Sequence, residues 1–125
     1  MRVLLDAGAF IGVDRDEDRT MKLLALARRA NAELVTTAPV VAQAWRNGSR
    51  QANVARLLRS VDVREVCVDD AKDAGELLAK TNGSDVVDAF LVLLAFGADH
   101  VFTSDPTDIG DLLTARGVRA TIVRV

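Results

Sequence analysis

VLLDA at residues 3–7 and VFTSDP at residues 101–106 are junctions of one kind: an apolar run that stops on an aspartate, Asp6 in the first and Asp105 in the second. Short β-branched runs that end on a polar residue read as strands passing into loops. Working outward, further strands are predicted at Leu34–Thr37, Val61–Val68 and Thr121–Val125, beside Val3–Leu5 and Val101–Thr103. Helical patterns fall between them, from Asp18 to Ala30, Pro39 to Asn47, Gln51 to Leu58, Asp70 to Lys80, Asp85 to Phe96 and Asp108 to Ala115. Strand and helix alternating along a chain imply βαβ units. The fold class is therefore α/β, a three-layer α/β/α sandwich around a mostly parallel sheet. Asn47-Gly48-Ser49 and Thr81-Asn82-Gly83-Ser84 read as turns rather than linkers, and no internal repeat divides the chain.

In such a sheet the strand C-termini and the N-termini of the returning helices share one edge. Asp6 and Asp105 end strands there, Asp85 and Asp88 open the helix before the fourth strand, and Gln43 lies in the helix after the second. If the first and fourth strands are neighbours, the crevice between them holds Asp6, Asp88 and Asp105.

Length and composition bound what these residues serve. A chain of 125 residues fits one domain, 1–125, with a core that needs no staples. Half the residues are hydrophobic and 27% are charged, as in an ordinary globular protein. The single cysteine, Cys67, forms no internal disulfide, and on an apolar stretch it reads as a core residue. The VLL run is cut off by Asp6, too early for a signal peptide, and AFLVLLAFGA at 89–98 is about half of the roughly twenty residues a membrane span needs. A cytoplasmic location is the expectation. Net charge is −2, so nucleic-acid binding would rest on a local patch.

Each acid also has a plainer reading. Asp6 before AGAFIG reads, taken alone, as the N-cap of a short helix, and Asp85 and Asp88 complement a helix dipole. Asp108 reads first as the N-cap of IGDLLTA and second as a ligand, while Thr103 and Ser104 either orient Asp105 or only bond a turn. The joint pattern carries more than its members. Carboxylates about 5 Å apart repel by about 3 kcal/mol per pair at an effective dielectric near 20, and a hard divalent cation relieves this. Oxygen donors without Cys or His favour Mg²⁺ or Mn²⁺ over zinc. The only histidine, His100, precedes the fourth strand and so stands at the opposite edge; proton movement then falls to a metal-bound water. Arg46 and Arg50, one turn apart if their helix runs through Gly48, are candidates for phosphate contact, and Trp45 either stacks on a base or packs.

The ordered set VLLDAGAFI, PVVAQAWRNG, DVVDAFLVLLA and VFTSDPTDI resembles a PIN-domain ribonuclease, and specifically a VapC-like toxin of a toxin–antitoxin pair. The resemblance implies a sheet ordered 3-2-1-4-5, Mg²⁺- or Mn²⁺-dependent RNA cleavage, a homodimer and a small antitoxin partner. It places the acidic residues on Asp6, Asp88 and Asp105, with Asp108 as an additional ligand. Gln43 departs from it, since such proteins carry a glutamate there; Asp85, on the same face as Asp88, is the compensating acid. Two functions follow. One is a metal-dependent endoribonuclease with Asp6, Asp88 and Asp105 catalytic; the other is a catalytically degenerate PIN-like module that binds RNA or a protein partner. A phosphoacceptor receiver fits poorly, lacking an acidic pair on the first strand and a lysine near the last. A phosphatase with an Asp nucleophile lacks the second acid two positions after Asp6.

Overall fold

The computed structural model describes residues 1–83 and 85–125. Among the described residues, five strands form one sheet: β1 (Arg2–Leu5), β2 (Glu33–Thr37), β3 (Val61–Arg64), β4 (His100–Thr103) and β5 (Thr121–Arg124). The order is β3-β2-β1-β4-β5 and every pairing is parallel. Leu5 lies opposite Phe102, so the two aspartate-ended strands are neighbours at the point where the strand order reverses.

The helices are α1 (Ala7–Asp14), α2 (Asp18–Arg29), α3 (Ala38–Ala44), α4 (Ala52–Leu58), α5 (Val68–Thr81), α6 (Val86–Leu93) and α7 (Pro106–Arg116), with a 3-10 turn at Gly48–Arg50. Strands buried on both faces explain the unbroken apolar runs: Val3, Leu4, Leu5, Val35 and Val101 are all buried. Leu24 and Ala27 of α2 join them, as do Leu91 and Val92 of α6 and Ile109, Leu112 and Leu113 of α7. The layers are thus helices, sheet, helices, and the core lies on either side of β1 and β4.

The structure differs from the sequence-based expectation at five places. The segment AGAFIGVD after Asp6 is a helix of its own, capped by Asp6. β3 stops at Arg64, because Arg64 pairs with Thr37, the last residue of β2, and beyond it no backbone partner remains; α5 starts at Val68. Cys67 is accordingly exposed, and its N–H donates to Asp70 Oδ2 at 2.9 Å. α3 ends at Ala44 rather than running through Gly48, so Arg46 and Arg50 do not share a continuous helix face. Asp108 is not the cap of the last helix: Pro106 takes the first helical position and Asp105 the N-cap. Of the second predicted turn, Asn82 takes the left-handed conformation with φ 58°, and Ser84 lies outside the described residues.

At the far edge, Arg2 is held at both ends. Its guanidinium donates to Leu94 O at 2.7 Å and to both Asp99 oxygens, and it lies 5.1 Å from the Phe96 ring centroid. Asp99 also accepts from Phe96 N–H at 2.8 Å. This latch closes the turn between α6 and β4 and sets where β4 enters the sheet.

Candidate acidic site at the strand C-termini

Three helices begin at the edge where β1 and β4 end. Asp6 is the N-cap of α1, Asp85 of α6 and Asp105 of α7. Helix N-termini carry partial positive charge and free N–H groups, which partly offset the carboxylates gathered there. Asp6 Oδ1 accepts from Ala7 N–H at 2.7 Å, and Asp85 Oδ1 accepts from Asp88 N–H at 3.0 Å. The cap reading of Asp6 is correct as far as it goes. The carboxylate does more, because Oδ2 accepts from the Thr103 hydroxyl at 2.6 Å.

Thr103 joins the two strand ends. It is fully buried, donates to Asp6, and accepts from Asp105 N–H at 2.9 Å. One hydroxyl therefore fixes the rotamer of Asp6 and the backbone direction of Asp105 together. Asp105 makes no side-chain capping bond, and its oxygens stay available to the cluster. Ser104 is exposed and sits against Gly8, where an added Cβ would come within 2.5 Å of Ser104 Oγ and 2.9 Å of its backbone nitrogen. Glycine after Asp6-Ala7 lets α1 start this close to the Asp105 loop.

The carboxylates converge. Asp88, Asp105 and Asp108 each present one oxygen within 4.8 Å of the other two. Asp88 is 4% exposed, and burial pushes its carboxyl up to about 7, with the charges of Asp6, Asp85, Asp105 and Asp108 adding to the rise. Asp6 is also raised, chiefly by burial and further by Asp85 and Asp105; the bonds from Thr103 and Ala7 pull the other way. Asp108 is raised because it shares a hydrogen bond with Asp105 and feels its charge. Such a group of acids holds protons it would release to a cation. Its donors are hard carboxylate oxygens with one serine and one threonine hydroxyl nearby, a set suited to Mg²⁺ or Mn²⁺.

A hollow of about 270 Å³ opens beside the cluster, lined by Asp85, Asp88, Asp108 and Asp111 together with Leu78 and Leu112. Asp111 escaped the sequence reading; its spacing of three from Asp108, on one face of α7, was the available signal. Gln43 is on α3, which follows the β2 end of the sheet. It is exposed near the end of α3 and lines a second hollow, of about 430 Å³, together with Arg46 and Arg50. Arg46 turns its Nη1 back onto Ala42 O and Trp45 O, at 2.7 and 2.9 Å. Trp45 is about one-third exposed and covers Gly48, where a Cβ would meet its ring at 2.6 Å. His100 begins β4 at the opposite edge.

A family model described as PIN domain matches residues 3–107. Among solved structures, the chain is similar to one described as VapBC2 from Rickettsia felis bound to a DNA fragment from their promoter. The similarity covers 100% of this chain and 99% of that one, with a TM-score of 0.65 at 10% identity. No curated protein matches the chain.

Proposed function

The chain belongs to the PIN domain family, and from that premise we propose that it is a divalent-metal-dependent endoribonuclease, the toxin of a toxin–antitoxin pair. The observation that carries the reading is the convergence of Asp88, Asp105 and Asp108 within one 4.8 Å group, beside Asp6. Asp6, Asp88 and Asp105 are the proposed catalytic acids and the first metal ligands, with Asp85 and Asp108 completing the oxygen donors. Mg²⁺ or Mn²⁺ bound there would supply Lewis-acid charge and lower the pKa of a water.

The chain's own residues do the positioning. Thr103 holds Asp6 in one rotamer and leaves the Asp6 carboxylate without freedom to swing out of the cluster. The buried Asp88 keeps a proton near neutral pH until a cation displaces it. Ser104 stands exposed beside Asp105, where its hydroxyl can bond a phosphate oxygen. The likeness to VapBC2 supports a protein partner, a small antitoxin; a homodimer acting in the cytoplasm is part of the same proposal. Arg46 and Arg50 are assigned to RNA.

The test is cleavage of single-stranded RNA with Mn²⁺ or Mg²⁺ against EDTA. Cleavage that needs the cation and is lost in Asp6→Asn supports the reading; cleavage retained in Asp6→Asn refutes the role of that residue. Gln43 favours a second reading, a degenerate module that binds RNA or a partner without cutting, because a neutral amide stands where the resemblance expects a carboxylate. Activity gained only in Gln43→Glu would establish that alternative.

A further inference from the structure

We propose that the 430 Å³ hollow between α1 and the segment after α3 is a phosphate-binding subsite for the RNA strand leaving the acidic cluster, with Gln51 as its positioning residue; the proposal rests on the ribonuclease reading. The hollow gathers Arg15, Arg46 and Arg50 against a single acid, Asp14, in a chain whose overall charge is −2. Three guanidinium groups around one open depression present the forked donors that phosphate oxygens take, and Asn47 and Gln43 add amide groups at the wall.

The depression is built rather than incidental, and Gln51 is what builds it. Its side chain is 5% exposed and spans the whole turn. Oε1 accepts from Arg46 N–H at 2.8 Å and from Asn47 N–H at 2.9 Å, while Nε2 donates to Ala44 O at 2.9 Å and toward Asp14 Oδ2 at 3.4 Å. A buried amide with both ends engaged fixes the backbone that carries Arg46 and Asn47, and ties it to α1 through Asp14. Carbonyls at the C-terminal end of α3 would repel an anion, but those of Ala42, Ala44 and Trp45 are occupied: Gln51 takes Ala44 O, and Arg46 Nη1 takes Ala42 O and Trp45 O. Nε and Nη2 of Arg46 remain for a ligand.

Place supplies the ligand's identity. α1 runs from its cap at Asp6, in the acidic cluster, to Arg15 at its C-cap, in the hollow. Its length of about 12 Å is a span of a very few nucleotides. A strand with one phosphodiester at the acids has the next ones over α1 and into the arginines. Phosphate contact of this kind positions a strand without reading its sequence.

The experiment uses a short fluorescein-labelled oligouridylate, titrated by anisotropy into Asp6→Asn protein in EDTA, with and without Arg15→Gln and Arg50→Gln. Both arginines are exposed, so these variants fold. The expected result is a dissociation constant raised about tenfold per arginine, and a log K against log salt slope shallower by about 0.7 per contact removed. In otherwise wild-type protein with Mn²⁺, the same changes and Gln51→Leu raise KM and leave kcat alone, a split that general loosening of the fold would not produce. Unchanged RNA affinity and KM in the arginine variants overturn the subsite while metal-dependent cleavage still upholds the ribonuclease. Arginine-dependent RNA binding without any cleavage does the reverse. Arginine variants that lose an acidic peptide but keep RNA also overturn the subsite, making the hollow a protein contact.

Discussion

Thr103 and Asp88 show how single residues trade stability for readiness. The Thr103 hydroxyl is the only hydrogen-bond donor to Asp6 Oδ2 among the described residues, and it also receives Asp105 N–H. Thr103→Val keeps the shape and removes both bonds; the expected cost is about 1–3 kcal/mol in chemical denaturation, with weaker Mn²⁺ binding by calorimetry. Asp88 runs opposite. A buried carboxylate ringed by acids destabilises the metal-free fold, so Asp88→Asn is expected to raise the midpoint of thermal unfolding in EDTA while abolishing RNA cleavage. A midpoint that falls would mean that Asp88 is stabilised by partners other than those described.

At the scale of elements, the strand–helix alternation was legible because β1, β2 and β4 are mostly buried and α2 and α5 each have a clear apolar stripe. α1 was not. AGAFIGVD is apolar nearly all round, so periodicity offers no helical signal, and Asp6 served as its cap only as a competing reading of that residue. β3 was overrun because valines recur at 61, 63, 66 and 68, although the step from Val63 to Val66 breaks the two-residue period; what ends the strand is the end of its neighbour, which no local pattern records. The clasp by Gln51 was equally hidden, since it joins α3, a turn and α1 through one buried amide. The contact between α1 and the β4–α7 loop yields a prediction at this scale. Gly8→Ala places a methyl 2.9 Å from the Ser104 backbone nitrogen, and relieving it pushes the loop carrying Asp105 outward. A loss of about 1–3 kcal/mol is expected, with a lower cation affinity than wild type. Gly75→Ala, where a Cβ meets nothing within 4 Å, is the control and is expected to be neutral or stabilising.

For the molecule as a whole, the acids at the sheet edge set the response to pH. Asp88 is pushed up to about 7 from 3.8, and Asp6 and Asp108 move the same way. The folded chain therefore binds more protons than the unfolded chain between the ordinary carboxylate range and neutrality. Stability in EDTA is then highest at the acidic end of that window and falls as pH rises through about 7. A divalent cation takes the place of those protons, so its stabilising effect grows with pH, reaching about 2.7 kcal/mol at a hundredfold excess over Kd. Thermal scans at about pH 5 and about pH 8, with EDTA and with Mn²⁺, check both signs. The convergence at this edge was readable from strand ends and helix starts once β1 and β4 were taken as neighbours. The end of α3 at Ala44 was not, because Trp45 leaves the helix in an extended conformation that no local apolar pattern records.

The central place of β1 has one more consequence. Its partner β4 lies so far along the chain that the Thr103–Asp6 bond spans 97 residues. During synthesis, β1 waits without its second neighbour until β4 clears the ribosome, and the loop to be closed is nearly the whole polypeptide. The acidic edge thus assembles late and all at once, only after both strand ends have been made.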